Sequence, residues 1–167
     1  HVAASEAGHV SLPIHSKTDQ KLWQYIEKTH GFPSVEDVLS GRGLEHVYAF
    51  ACIEAGLSSD LSAAEIFAAF EAGNNPQAVE AATIFARMLG TVAGNLALIH
   101  LPFGGIYLAG GVARAFAPHL AELGFQTAVR DKGRFAGFMN NFAVSVVEDD
   151  YAALMGSASH LEGLKPS

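Results

Sequence analysis

The sequence predicts a helix-rich α/β domain in which parallel strands are joined by crossover helices. Two short apolar runs, residues 106–109 and 143–147, have the length and composition of buried strands. Helical patterns precede, separate and follow these runs. The resulting order of helix, strand, helix, strand, helix predicts parallel pairing with right-handed crossover connections.

Composition narrows the class of protein further. The chain has 167 residues, of which half are hydrophobic, and this favours one globular domain with a sizeable core. Its net charge of −7 and the lack of a basic run argue against nucleic-acid binding. A single cysteine, Cys52, cannot form an intrachain disulfide, so we expect a reducing, cytoplasmic location.

Two helices are predicted near the start of the chain, over residues 20–29 and 35–39. The first carries an apolar side and is stopped by Gly31. The second is a short helix after the proline of the Gly-Phe-Pro break. The predicted N-terminal caps are Thr18 or Asp19 for the first helix, and Ser34 with Asp37 in a capping box for the second.

Residues 40–43 are predicted to break the chain before a helix over residues 44–55. A further helix begins after the serines near residue 58, includes residues 62–70, and ends before Gly73. A long helix then starts at Pro76, with Asn74 or Asn75 as its cap. Gly90 and Gly94 in this helix would allow a neighbouring element to approach closely.

Residues 81–101 are apolar enough to resemble a membrane span. Arg87 lies inside this stretch, and a central arginine costs about 3 kcal/mol on insertion scales. Alanine and glycine supply seven of the 21 residues in the stretch. We therefore expect the core helix of a soluble domain and no membrane partner.

The remainder of the chain is predicted to alternate strand and helix. After the first strand, a helix over residues 113–123 is kinked or restarted at Pro118. Residues 124–135 form a connection to the second strand. A last helix spans residues 151–161, is capped by Asp149 or Asp150, and precedes a tail that frays.

Gly110 and Gly111 follow the first predicted strand and open a helix-compatible run. In open α/β sheets, ligands sit at the carboxyl ends of strands, and glycines let a flat ligand approach the backbone. The alternative is a glycine pair that serves only a tight turn.

Three polar side chains are candidates for binding a ligand. Glu6 and His9 are separated by two small residues in a predicted loop, and Glu36 begins the short second helix. Carboxylates accept hydrogen bonds from two hydroxyls at once, and an imidazole can donate or accept, so the set suits a sugar. The alternatives are a solvated surface loop for the first two and a favourable helix-dipole contact for Glu36.

Five segments together resemble the bacterial ATP-dependent glucokinases. They are Glu-Ala-Gly-His at 6–9, Val-Glu-Asp-Val-Leu-Ser-Gly-Arg-Gly-Leu at 35–44, Gly-Asn-Leu-Ala-Leu at 94–98, Gly-Gly-Ile-Tyr-Leu-Ala-Gly-Gly at 104–111, and Asp-Lys-Gly-Arg-Phe at 131–135. Each segment is a weak signal alone, but their order and spacing match the family along essentially the whole chain. The resemblance implies the actin-like ATPase fold, in which two ribonuclease-H-like domains close over sugar and ATP.

The resemblance also implies roles for particular residues. Glu6, His9 and Glu36 would bind glucose hydroxyls, and Gly110 and Gly111 would line the adenosine side of the nucleotide site. The family transfers the γ-phosphate of ATP, with Mg²⁺, to the 6-hydroxyl of glucose, and its members often form homodimers. Glucose, ATP, Mg²⁺ and a second copy of the chain are therefore the expected partners and cofactors.

The sequence departs from the family pattern in three ways. Ala7 replaces the first glycine of Glu-Gly-Gly-His, and Arg42 replaces the proline of Ser-Gly-Pro-Gly-Leu. The phosphate-binding Asp-x-Gly-x-Thr loop and the general-base aspartate of the family are not found in these residues. We expect residues 1–167 to be a C-terminal, large-domain portion of a two-domain glucokinase, with its N-terminal domain, the start of its large domain and its catalytic base upstream.

Two other functions remain as alternatives. A non-catalytic sugar-binding or regulatory module could keep the fold and use Glu6, His9 and Glu36 without phosphoryl transfer. A metal protein is the second, but the eight histidines show no close pair on one helix face and no partner cysteines. No metal ligand is therefore predicted.

Overall fold

The computed structural model describes residues 4–149 and 151–163. In chain order the elements are α1 (Lys17–His30), α2 (Gly41–Glu54), α3 (Ala63–Glu71), α4 (Pro76–His100), β1 (Ile106–Leu108), α5 (Gly111–Phe116), α6 (Phe125–Arg130), β2 (Val144–Val146) and α7 (Ala152–Gly163). Single 3₁₀ turns lie at Ala7–His9, Gly133–Phe135 and Phe138–Asn141.

The two strands pair in parallel, as the sequence predicts. Ile106 is opposite Val144 and Leu108 is opposite Val146. The strands are less buried than expected, because Ile106 and Leu108 are half-buried and Tyr107 is 68% exposed. The apolar composition of the runs identifies the strands correctly but overstates how much of each strand is covered.

The long helix α4 forms the centre of the core. It starts with Pro76 in its first turn, and the Asn75 side chain accepts hydrogen bonds from the backbone N–H groups of Gln77 and Ala78, which confirms the predicted cap. Helices α2, α3 and α6 pack against it. The helix is long and apolar enough to cross a membrane, but half of its most apolar stretch is buried inside the molecule.

Arg87, in the middle of α4, pairs with a buried carboxylate of α1. Its Nη2 donates to Asp19 Oδ1 at 3.0 Å, and the Asp19 residue is only 2% exposed. The other Asp19 oxygen accepts from the backbone N–H groups of His15 and Ser16. Because Ser16 completes this capping box, it is the N-cap of α1, and the predicted caps Thr18 and Asp19 are wrong by two and three positions.

Gly90 and Gly94 bring α4 against α6, as predicted for a close approach. A Cβ at Gly90 would lie 2.4 Å from the Phe125 carbonyl oxygen, and one at Gly94 would lie 2.5 Å from the Val129 carbonyl oxygen. The prediction of a connection over residues 124–135 is wrong in part, because this stretch contains the helix α6, which begins after Gly124 with φ +82°. This helix packs closely against both glycines of α4.

Residues 35–39 form a single hydrogen-bonded turn and not the predicted helix. The predicted Ser34–Asp37 box is present, since the Ser34 backbone N–H donates to Asp37 Oδ2 at 2.9 Å. The chain then enters α2 at Gly41, three residues earlier than expected, with Ser40 as its N-cap. Gly43 packs closely against the preceding turn, because a Cβ there would lie 2.4 Å from the Val38 carbonyl carbon.

The C-terminal elements follow the prediction in outline. Helix α5 starts two residues earlier than predicted and ends at Phe116, just before Pro118, so the helix predicted to residue 123 is only six residues long. The Tyr151 backbone N–H donates to Asp149 Oδ1 at 2.7 Å before α7. The alternative cap, Asp150, and the predicted frayed tail from residue 164 onward lie outside the described residues.

Candidate functional site

The candidate site is assembled by a short antiparallel ladder between residues 8–12 and 33–36. The Glu36 N–H donates to the Gly8 carbonyl oxygen at 2.8 Å, and the Val35 N–H donates to the Val10 carbonyl oxygen at 3.0 Å. Because these residues are about 25 positions apart in the sequence, only the folded chain brings Glu36 beside the Glu-Ala-Gly-His segment.

Glu6, His9 and Glu36 come together at this ladder. His9 Nε2 lies 4.0 Å from Glu6 Oε2 and 3.9 Å from Glu36 Oε2. All three side chains are largely exposed, so they face solvent instead of the core. Both distances exceed a hydrogen bond, which leaves the ring nitrogen and the carboxylate oxygens room to bind polar groups of a ligand.

The lack of a side chain at Gly8 leaves room for the Glu36 carboxylate. A Cβ at residue 8 would lie 3.2 Å from Glu36 Oε2, which is closer than most side chains tolerate. Residue 7 carries no such constraint, because Leu101 is the one non-glycine residue with positive φ among the described residues. Alanine at position 7 is therefore compatible with the 3₁₀ turn that carries His9.

His9 and Glu36 line one cavity of about 460 Å³, whereas Glu6 does not. Glu6 lines a neighbouring groove of about 540 Å³ whose walls include Val10, Leu96 and Ile99. The imidazole of His9 thus stands between the two carboxylates, with Glu36 on the cavity side and Glu6 toward the groove.

The cavity also contains residues that the sequence analysis did not assign to it. His30 and His46 stack with ring centroids 4.0 Å apart, and Arg42 also lines the cavity. His46 Nδ1 lies 3.0 Å from the Asp37 carbonyl oxygen, which can only accept, so Nδ1 carries the proton. No sequence spacing indicated this pair, because His30 ends α1 while His46 lies within α2.

Two groups beside the cavity have shifted pKa values. Burial lowers the pKa of His30 below 6.5, the positive charge of His46 lowers it further, and Asp37 opposes the shift. Burial raises the pKa of Asp37, but hydrogen bonds from Ser34 and the nearby His46 and His30 outweigh it and hold that pKa below 3.8. Asp37 is therefore ionised at neutral pH, and protonation of His30 is disfavoured.

Gly110 and Gly111 lie at the carboxyl end of β1, beside a second cavity of about 360 Å³. Gly110 has φ +113°, a conformation that favours glycine, and a Cβ at either residue would meet nothing within 4 Å. Ser40 lines this cavity and also the cavity that holds His9 and Glu36. The N-terminus of α2 therefore separates two adjacent hollows.

The residues around the cavities suit hydroxyl groups better than a metal ion. Across residues 4–149 and 151–163, no group of three or more His, Cys, Asp or Glu side chains is placed to hold a metal. Two carboxylates and an imidazole can accept and donate hydrogen bonds to several hydroxyls of one ligand.

Comparison with known sequences places these observations in a family. The family model described as Glucokinase matches residues 1–164. The chain is 36% identical over 156 residues to a glucokinase of Rhizobium johnstonii, and 35% identical over 152 residues to one of Brucella suis. These alignments cover 93% and 90% of this chain but only 46% and 44% of the relatives, so the chain spans about half their length.

Solved structures agree with the fold. A glucokinase from an Antarctic psychrotroph superposes with a TM-score of 0.87 at 30% identity, covering 96% of this chain and 50% of that one. A glucokinase from Balamuthia mandrillaris, solved in complex with glucose, superposes with a TM-score of 0.76 at 22% identity, covering 87% of this chain and 43% of that one. These matches support the expected helix-rich α/β class and a partial actin-like domain.

The family match therefore extends over the segments that assemble the site as well as over the core, and the chain belongs to the glucokinase family.

Proposed function

We propose that, in the full-length protein, this chain supplies the sugar-orienting and nucleotide-contacting residues of an enzyme that transfers the γ-phosphate of ATP to the 6-hydroxyl of glucose. The observation that carries the proposal is the meeting of Glu6, His9 and Glu36 around one imidazole, with Nε2 within 4.0 Å of both carboxylates. The name Glucokinase of the relatives supports glucose as the substrate.

Glu36 and His9 bind glucose hydroxyls from the wall of the shared cavity. A carboxylate accepts from two hydroxyls and an imidazole can donate or accept, so the pair fixes the orientation of the sugar ring. Glu6, which lines the neighbouring groove, binds a further hydroxyl beside His9. These residues contribute by orienting the sugar, because positioning and charge stabilisation supply most of the catalysis of phosphoryl transfer.

ATP contacts the chain at Gly110 and Gly111. Their cavity adjoins the sugar cavity across Ser40, as transfer between two bound substrates requires. The described residues supply no carboxylate cluster for Mg²⁺. They are therefore assigned no part in holding the metal.

The chain acts as a C-terminal, large-domain portion of a two-domain enzyme. Support comes from its coverage of less than half of the Rhizobium johnstonii relative and from the absence of an Asp-x-Gly-x-Thr loop in its sequence. The general base belongs to the part of the protein that these 167 residues do not include. We further propose that the enzyme is a cytoplasmic homodimer.

A coupled assay with ATP and glucose tests the proposal. The full-length protein is expected to form glucose 6-phosphate, Glu36→Gln to lose most of that activity, and the 167-residue chain alone to have none. Glucose binding without turnover in the full-length protein would instead identify a sugar-binding or regulatory module.

A further inference from the structure

Ser40 is bonded to the backbone of Glu36 and lies between the two cavities. Its Oγ donates to the Glu36 carbonyl oxygen at 2.9 Å and accepts from the Gly43 N–H at 2.9 Å. A hydroxyl has one proton, so its single donor is committed to Glu36. The same side chain therefore caps α2 and holds the residue proposed to bind sugar.

The backbone of Glu36 is fixed on both sides. Its N–H donates to the Gly8 carbonyl oxygen at 2.8 Å, and its carbonyl oxygen accepts from Ser40. The first bond ties Glu36 to the segment that carries His9, and the second ties it to the N-terminus of α2. Because the side chain of Glu36 is exposed, its direction depends on these backbone bonds more than on packing around its carboxylate.

We propose that Ser40 is a positioning residue, which holds the Glu36 carboxylate toward the sugar cavity by clamping the Glu36 carbonyl. This inference rests on the proposed function, because it assumes that Glu36 binds the sugar. The Ser40 hydroxyl acts through the backbone of Glu36, and its place on the wall of both cavities puts this clamp where the two substrates meet.

The experiment separates this clamp from simple helix capping. Ser40→Gly removes the hydroxyl and leaves an N-cap residue that helices accept with little loss. Ser62→Gly is the matched control. Ser62 caps α3 in the same way, because its side chain accepts a hydrogen bond from the backbone N–H three residues later, and it lines neither cavity. Ser40→Thr keeps the hydroxyl. Each variant is made in the full-length protein, and KM for glucose, KM for ATP, kcat and the melting temperature are measured.

Ser40→Gly is expected to raise KM for glucose about 2- to 10-fold, the range that one lost hydrogen bond gives. KM for ATP is expected to stay near the wild-type value, and Ser40→Thr and Ser62→Gly should keep the wild-type KM for glucose. A merely structural role would lower the melting temperature of Ser40→Gly and Ser62→Gly alike without moving either KM. That result, or an equal rise of KM in Ser62→Gly, overturns the inference.

Two further variants keep the outcome decisive. If Ser40→Gly does not fold, Ser40→Asp replaces it, because an ionised carboxylate accepts from the Gly43 N–H but has no proton for the Glu36 carbonyl. An unchanged KM for glucose in Ser40→Asp then overturns the inference. Glu36→Gln separates the role of Glu36 from the role of Ser40. If Glu36→Gln leaves glucose kinetics unchanged, the proposed role of Glu36 in binding sugar is wrong. If Glu36→Gln changes these kinetics while Ser40→Gly does not, only the positioning role of Ser40 is wrong.

Discussion

His9 gives the candidate site its geometry at the scale of single residues. Its Nε2 is nearly equidistant from two carboxylates that belong to different segments of the chain. Neither distance is short enough for a direct hydrogen bond, so the three side chains do not saturate one another. A sugar hydroxyl placed between them can bond to the imidazole and a carboxylate at the same time.

Gly8 gives the first prediction. Gly8→Ala adds a Cβ 3.2 Å from Glu36 Oε2, so the carboxylate must shift away from its position. We expect KM for glucose to rise about 2- to 10-fold in steady-state kinetics, because a displaced binding group loses part of its hydrogen-bond energy. Gly137→Ala is the control, since residue 137 has helical φ and a Cβ there meets nothing within 4 Å. Equal kinetics for Gly8→Ala and wild type would refute the steric role of Gly8.

His30 gives a prediction about pH. Its pKa in the folded chain is lowered below 6.5, chiefly by burial and then by His46. The unfolded chain therefore takes up this proton at a higher pH than the folded chain does, and the stability that His30 contributes is complete above about pH 6.5 and is lost as the pH falls below it. The urea midpoint should fall less between about pH 7.5 and about pH 5.5 in His30→Gln than in wild type. Identical slopes for the two proteins would contradict the assignment.

At the scale of elements, the contact between α4 and α6 is set by two glycines. Gly90→Ala would place its Cβ 2.4 Å from the Phe125 carbonyl oxygen, a backbone atom that cannot simply rotate away. We expect a loss of about 1–3 kcal/mol in the free energy of unfolding, measured by urea denaturation. Gly156→Ala in the exposed helix α7 is the control, because it meets nothing within 4 Å and alanine favours a helix. A wild-type midpoint for Gly90→Ala would show that α6 is not held in this close packing.

The sequence predicts elements well where the signal is local. Asn75 and Pro76 mark the start of α4 through a cap and a fixed φ, and the structure begins the helix there. Ser16 and Asp19 form an equally local capping box. The predicted start of α1 is nevertheless three residues too late, because it relies on the apolar pattern that begins at Leu22. Helix α6 has no side-chain cap of this kind, and its close contacts are with glycines more than 30 residues earlier in the chain.

The candidate site is also predictable from the sequence only in part. Glu6, His9 and Glu36 are predictable as polar residues in loops, and the family resemblance unites them. The stacked pair of His30 and His46 is not predictable, since it needs the relative placement of α1 and α2. The role of Ser40 is also not predictable, because the sequence of residues 40–43 predicts a break in the chain. Only the structure shows that Gly43 lies close to the Val38 backbone.

At the scale of the whole molecule, part of the apolar surface is uncovered. The described sheet has two strands of three residues, and α7 has no buried residue among Ala152–Gly163. Tyr151, Leu154, Met155 and Leu161 are exposed. The curated relatives are about twice as long as the aligned region, so their further residues are candidates to cover such surface.

The isolated chain is therefore expected to associate with itself. Open strand edges and apolar helix faces recruit other chains. Light scattering after gel filtration should give a mass above the 17.6 kDa monomer that rises with concentration. Replacing Leu154 and Met155 by lysine should lower that mass. A constant monomer mass over the whole concentration range would show that these surfaces do not drive association.

The most direct test of the account is a calorimetric titration of glucose into the full-length protein and its Glu6→Ala, Glu36→Ala and Glu80→Ala variants. Glu80 is an exposed carboxylate of α4 and lines neither cavity. Wild type and Glu80→Ala are expected to bind glucose alike, while Glu6→Ala and Glu36→Ala should each bind at least about tenfold more weakly. Wild-type affinity in both Glu6→Ala and Glu36→Ala would contradict this expectation.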